Sequence, residues 1–324
     1  MGEGGEGDFV SRRVVGALNT SGWATPVVVT RKPARRGASD SHMQVDVTDA
    51  AALRTCMQDA WGVVNCITTN VDAISRGATA LFTAARSMPD PPRIIYVSSQ
   101  SVYGEAYGDV DETSPPVGAI SAYGAAKAAA EREAATVPST VILRPGIIYG
   151  PGSVQWSERI ADWLMHHRLG DLGRAGDGYC NLVYVNDLID AIMRALEGPD
   201  LPGKVFNLSL SQPPTWNEYF IQYAKALGAV PVSRITRRRL AIETKLLAPP
   251  LKILQMLAQK SLRRASKFIP EPIPPSAAQV FRQEIRMSVR AAETTLGMRW
   301  MGLREGLAAA ADSYLGQTRG LRPR

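Results

Sequence analysis

Tyr123 and Lys127 stand four residues apart in Tyr-Gly-Ala-Ala-Lys, the pair in this chain best suited to chemistry. From Tyr123 to Ala135 the sequence is rich in alanine and charged residues. It has no glycine after Gly124 and no proline before Pro138, so a helix is predicted there. At a spacing of i, i+4 the phenol and the ammonium share one helix face. A neighbouring cation favours phenolate and draws a tyrosine pKa down from its usual ~10. A tyrosine tuned in this way can give or take a proton at a carbonyl or carbinol oxygen. Upstream, Val97 to Gly104 reads Val-Ser-Ser-Gln-Ser-Val-Tyr-Gly. A serine held at the end of a strand can hydrogen-bond the same oxygen, which nominates Ser99, with Ser101 as a helper.

Those side chains need elements to bring them together. Arg93 to Val97 is an apolar, β-rich run that delivers Ser98 and Ser99 at its carboxyl end. Further runs at Pro26 to Thr30, Gly62 to Ile67 and Thr140 to Leu143 alternate with helical stretches at Val14 to Leu18, Ala50 to Asp59, Ala73 to Arg86 and Tyr123 to Ala135. The alternation predicts β-α units and a mostly parallel sheet covered on both faces, with ligands beyond the carboxyl ends of its strands. After Pro151 the pattern loosens. Helices are predicted at Ile160 to His167, Asp187 to Glu197 and Trp216 to Leu227, and a strand at Val205 to Leu208.

A Tyr-x-x-x-Lys spacing alone also describes a solvated helical pair; the order of the surrounding motifs decides the matter. After the helix come Arg144-Pro145-Gly146-Ile147-Ile148-Tyr149-Gly150-Pro151, then Gly176-Asp177-Gly178, then Leu182-Val183-Tyr184-Val185-Asn186-Asp187-Leu188. In this order the motifs resemble the extended short-chain dehydrogenase/reductases, the NAD(P)-dependent epimerase/dehydratase group. The resemblance runs from about Gly5 to Leu315. It implies an α/β enzyme with a Rossmann-type, doubly wound parallel sheet and a smaller, partly interleaved C-terminal substrate domain. The expected division is 1–150 for dinucleotide binding and 151–315 for substrate, with 182–197 returning to the first domain and 316–324 a frayed tail. Tyr123 is then the acid/base, Lys127 also holds the nicotinamide ribose, and Ser99 orients the substrate oxygen. A homodimer through the helices at 77–86 and 123–135 is also implied.

The same resemblance places the dinucleotide, NADP in preference to NAD. Gly5 to Val15 resembles the glycine loop and first helix, with Phe9 and Val10 at cofactor positions. Of the three loop glycines only Gly5 is kept; Asp8 and Ser11 stand at the others, where a carboxylate would repel pyrophosphate. The strand that normally precedes this loop is not seen. Either the start lies upstream, or the cofactor site has degraded, or the Gly-Glu repeats are a disordered tail. Arg31 and Lys32 end the second strand, where a base suits the 2′-phosphate of NADP. Asp46 and Val47 fit an adenine contact. Cys66-Ile67-Thr68 replaces a small-residue turn, Ile74 stands where an asparagine is usual, and Pro145, Gly146 and Ile148 follow the strand after the Tyr helix.

Substrate positions depart from nucleotide-sugar members, which carry an asparagine and an Arg-Asp pair where this chain has Gly146-Ile147 and Cys180-Asn181. Without that arginine a diphosphate loses a bidentate partner, which favours an uncharged, more apolar small molecule. The expected reaction moves a hydride to or from a carbonyl or carbinol carbon. A nucleotide-sugar epimerase or dehydratase using the same residues is the alternative, and a catalytically silent dinucleotide-binding or scaffolding protein the alternative of another class.

The bulk composition of the 324 residues, 45% apolar and 21% charged, suits an ordinary globular chain. Three scattered cysteines and three histidines give no disulfide framework and no metal spacing. No signal peptide or membrane span is read, so a cytoplasmic location is expected. The net charge of +7 is local: Arg234 to Lys267 holds ten basic residues against Glu243 alone, leaving the remainder slightly acidic. That argues against a nucleic-acid binder. The leucines between those charges make the segment either a lid over a substrate pocket or a surface helix touching anionic membrane. A proline-rich link follows at 270–275.

Overall fold

Runs of β-branched and apolar residues form the strands that carry the site. The structure, a computed structural model, describes residues 6–31, 41–68, 70–118, 121–199, 201, 203–247, 250, 273–274, 277, 280–281 and 283–319. In chain order the elements are α1 (Glu6–Ser21), β1 (Val27–Thr30), β2 (Ser41–Gln44), α2 (Ala50–Met57), β3 (Gly62–Asn65), α3 (Val71–Arg86), β4 (Arg93–Val97), β5 (Gly108–Val110), α4 (Ala122–Ala134) and β6 (Thr140–Pro145). Then follow β7 (Ile147–Tyr149), α5 (Arg159–Met165), β8 (Leu182–Tyr184), α6 (Val185–Glu197), β9 (Val205–Leu208), α7 (Trp216–Leu227), α8 (Arg237–Ala241), β10 (Ile285–Met287), α9 (Arg290–Thr295) and α10 (Leu303–Arg319).

The chain divides into two units. The first comprises Met1–Gly146, Val185–Ser211 and Met287–Trp300, the second Ile147–Tyr184, Gln212–Arg286 and Met301–Arg324. In the first unit four parallel strands run in the order β3-β4-β6-β9, in register at Val63↔Ile94, Ile94↔Thr140 and Ile142↔Val205. Each crossover carries a helix, as parallel pairing requires. α3 and α4 cover one face, where Phe82, Ala84, Ala85, Ala130 and Ala134 close over Ile94, Tyr96 and Ile142. Strands β1 and β2 form a separate parallel pair, and among the described residues no strand joins β1 to β3. In open dinucleotide-binding sheets that interval belongs to the first strand. The exposed rings of Trp23, shortly before β1, and Trp61, just before β3, meet edge to face at 5.0 Å.

Several sequence expectations are corrected. The first helix is not confined to 14–18. It starts at Glu6, so Asp8 and Ser11 are helical rather than part of a loop, and Gly5 lies outside the described residues. Val10, Val14 and Leu18, one turn apart, bury a common stripe that extends the helix. The final helix continues through Arg319, past the predicted end at 315. Thr318 Oγ1 donates to the Leu315 carbonyl and Gln317 Nε2 to Glu158 Oε1, at 3.0 and 3.1 Å. Residues 251–272, which hold half of the basic leucine-rich segment at 234–267 and half of the proline-rich link at 270–275, lie outside the described residues.

In the second unit β7 and β8 pair in parallel, and an aromatic group of Trp156, Trp216, Tyr219, Phe220 and Phe281 forms the core. Among the described residues no helix is long and apolar enough to cross a membrane, and no group of histidines, cysteines and carboxylates could hold a metal ion.

Candidate active site

The Tyr123 helix begins at Ser121, whose Oγ accepts the Gly124 amide at 3.0 Å. That cap fixes the first turn, where Tyr123 is half-buried. One turn on, Lys127 is fully buried and its ammonium donates to the Val97 carbonyl at 2.7 Å and the Ile67 carbonyl at 2.9 Å. Both carbonyls sit at carboxyl ends, of β4 and of the segment after β3. The ammonium also lies 4.9 Å from the centre of the Tyr96 ring. A buried cation needs such partners, because losing water without compensation is costly. Burial raises the Tyr96 phenol above its usual range, and Tyr123 is close enough to add to that.

Ser99 follows β4 by two residues, with extended backbone, and caps the 3-10 turn Gln100–Tyr103. Its hydroxyl accepts the Ser101 amide at 3.2 Å and donates to Ser101 Oγ at 3.1 Å. Gly124 lets this turn approach α4: a Cβ there would stand 2.5 Å from the Ser101 carbonyl oxygen. The structure thus gathers Ser99, Ser101, Tyr123 and Lys127 at the carboxyl end of β4.

The residues expected at the dinucleotide are spread more widely. Ile67 accepts from Lys127 and approaches Gly77, while Asn65 Oδ1 holds its amide at 3.1 Å. Burial pushes the Cys66 thiol up to about 12, against the opposing effect of Lys127, so it is a core thiol. Thr68 is half-buried beside them. Arg31 is exposed at the end of β1, and its charge helps hold the Asp46 carboxyl below its ordinary range; the larger causes are the amide and hydroxyl of Thr48. Val47 lies near Gly77 on α3. Val10 is buried on α1, and Phe9 carries the Arg13 guanidinium over its ring at 4.9 Å. Pro145 closes β6, and the Gly146 amide donates to the Leu208 carbonyl at 2.9 Å. Ile148 is buried on β7 in the second unit. Gly5 and Lys32 lie outside the described residues. A dinucleotide suits what is described at both ends: a buried ammonium with a phenol and a hydroxyl at one, and Arg31 with Asp46 at the other.

The sequence reading passed over a buried polar group beside the site. Glu131, one turn beyond Lys127, accepts Ser98 Oγ at 2.5 Å and Arg144 Nη2 at 2.7 Å. Arg144 Nη1 donates to Tyr103 Oη at 2.9 Å, and that hydroxyl donates to Asn207 Oδ1 at 2.6 Å. Burial opposes the guanidinium charge, and Glu131 more than offsets it, so the Arg144 pKa rises above its ordinary value. The available signal was the continued spacing 123, 127, 131. At the positions of the missing diphosphate arginine, Cys180 and Asn181 are both buried; Asn181 Nδ2 donates to the Ile285 carbonyl at 3.0 Å.

The profile of the NAD dependent epimerase/dehydratase family matches residues 4–209. Over 142 residues the chain is 32% identical to Protein YeeZ of Escherichia coli strain K12, covering 43% of this chain and 48% of YeeZ. The chain therefore spans about half the length of the curated relatives it matches. Among solved structures it is similar to UDP-glucuronic acid 4-epimerase of Bacillus cereus in complex with NAD, with a TM-score of 0.69 and 18% identity over 98% of this chain and 96% of that one. A short-chain dehydrogenase/reductase superfamily protein of Agrobacterium tumefaciens with bound NAD gives 0.68 and 17% over 98% and 97%. UDP-glucose 4-epimerase of Thermotoga maritima with UDP-glucose gives 0.66 and 17% over 96% of each chain. At these identities the likeness is one of fold.

Proposed function

The chain belongs to the NAD dependent epimerase/dehydratase family and is an enzyme of that family, and from that premise we propose that Tyr123 moves the proton in an NAD(P)-linked oxidation or reduction at a carbinol or carbonyl carbon. The observation that carries this reading is Lys127, buried and anchored to the carbonyls of Val97 and Ile67 at the strand ends beside Tyr123 and Ser99. A bound nicotinamide supplies the hydride acceptor or donor. Tyr123 as phenolate accepts the hydroxyl proton while the carbon loses its hydride, and as phenol returns the proton in reverse. Lys127 favours the phenolate and holds the nicotinamide ribose. Ser99 donates to the substrate oxygen in place of Ser101 Oγ, while the Ser101 amide that it accepts holds its oxygen in position. Tyr123→Phe is expected to lower turnover by at least ~10² while leaving dinucleotide binding in place. Normal turnover with phenylalanine at 123 would sink the assignment.

The finer parts of the reading are NADP in preference to NAD, an apolar uncharged substrate, and a homodimer through α3 and α4. Exposed Arg31 supports the first, because a guanidinium pairs well with a 2′-phosphate. Fluorescence titration should then find NADPH tighter than NADH, with the gap narrowing as salt rises; equal affinities would count against it. Buried Cys180 and Asn181 support an apolar substrate, since no cation stands at those positions to grip a diphosphate. A nucleotide sugar remains the second reading, favoured by the UDP-sugar complexes among the similar structures. Thermal-shift screening of UDP-, GDP- and dTDP-sugars against apolar carbonyl compounds, with NADPH present, separates the two.

A further inference from the structure

We infer that Glu131 and Arg144 are positioning residues that set where Ser99 stands relative to Tyr123, an inference that rests on the acid–base reading above. Tyr123, Lys127 and Glu131 follow one another at four-residue steps, so they share one face of α4. Two of them fasten that face to the end of β4. Lys127 Nζ donates to the Val97 carbonyl at 2.7 Å, and Glu131 Oε1 accepts Ser98 Oγ at 2.5 Å. Val97 and Ser98 are the two residues immediately before Ser99. Glu131 therefore holds the chain one residue from the site hydroxyl.

Arg144, on β6, fixes Glu131 in turn. Its Nε lies 3.0 and 3.2 Å from the two carboxylate oxygens and its Nη2 lies 2.7 Å from Oε2. Both side chains are 4% exposed. The free end of the guanidinium reaches Tyr103 Oη, Tyr103 donates to Asn207 Oδ1, and the Asn207 amide donates to Glu112 Oε1 at 2.8 Å. The group thus joins α4, the end of β4, the Ser99 turn, β6 and β9.

Stability alone does not account for such a pair. A buried ion pair loses much of its attraction to desolvation, and an apolar pair of similar volume is often at least as stable. What apolar side chains cannot do is hold Ser98 at a fixed distance and angle. A bidentate guanidinium can, because it fixes the carboxylate plane and leaves one oxygen aimed at Ser98. Small displacements matter here: misplacement by about 1 Å can cost about 10² in rate.

The test uses the full chain carrying Glu131→Leu together with Arg144→Met, beside each single variant. Each single variant leaves one buried charge unpaired and is expected to lose stability. The double variant leaves none. It is expected to melt at or above the parental temperature and to bind NADPH within about threefold of the parent, with KM little changed and kcat down at least ~10-fold. Its crystal structure should show a changed separation between Ser99 Oγ and Tyr123 Oη. Parental kcat with an unchanged separation would overturn the inference. So would failure to fold, or a joint loss of melting temperature, NADPH affinity and kcat, since each makes the pair structural only. If the parent turns over no substrate, the acid–base reading fails separately, and the crystallographic separation still decides whether the pair positions Ser99.

Discussion

At the scale of single residues, Gly124 shows how closely the site is packed. A Cβ at this position would stand 2.5 Å from the Ser101 carbonyl oxygen, a backbone atom that cannot swing aside. Gly124→Ala is therefore expected to cost about 1–3 kcal/mol and to lower turnover, because relief comes only by moving the Ser99 turn or the Tyr123 turn. Gly16 makes the opposite case. It is exposed inside α1 with nothing within 4 Å of an added Cβ, so Gly16→Ala should stabilise by roughly 0.5–1 kcal/mol. Thermal unfolding of the two variants checks both signs. The Tyr123 and Lys127 pair was legible in the sequence because its spacing and the order of neighbouring motifs are both local. Glu131 and Arg144 were not. A glutamate in an alanine-rich helix reads as a solvated residue, and only β6 packed beside that helix shows that its carboxylate is buried.

At the scale of elements, legibility followed burial. β4 and β6 are buried along nearly their whole length, so their sequences are almost continuous apolar runs, and the reading found both. β2 is Ser-His-Met-Gln with three of four residues exposed, and no pattern in those residues marks a strand. Its existence is owed to pairing with β1, from Val27↔Ser41 to Thr30↔Gln44. The helix carrying Tyr123 was found from composition, but its true start is set by a side chain. Ser121 Oγ accepts the Gly124 amide, one of the first-turn donors that no helical carbonyl can reach. Ser121→Ala should cost about 1 kcal/mol and loosen the turn that presents Tyr123. A loss of turnover larger than the loss of stability implies would show that the cap serves the site as well as the helix. Equal, small effects would mean that packing alone holds the turn.

At the scale of the whole molecule, the parallel sheet of the first unit is the feature with the widest consequences. It was expected as one sheet and, among the described residues, is found as two pieces, β1 with β2 and β3-β4-β6-β9. In the larger piece β4 and β6 lie between two hydrogen-bonded neighbours and are buried; in the smaller piece each strand has one partner among the described residues and none of its residues is buried. Backbone hydrogen bonds near solvent open more readily than those in a packed core. Amide hydrogen exchange should therefore be faster in Val27–Thr30 and Ser41–Gln44 than in Arg93–Val97 and Thr140–Pro145, by orders of magnitude at the most protected positions. Arg31 and Asp46, at the carboxyl ends of the weaker pair, are also the proposed contacts for the adenosine end of the dinucleotide. Saturating NADPH should then slow exchange in β1 and β2 more than in β9, which carries none of those contacts. Protection in β1 and β2 equal to that of β4, with no change on adding NADPH, would mean that this edge is rigid and takes no part in binding.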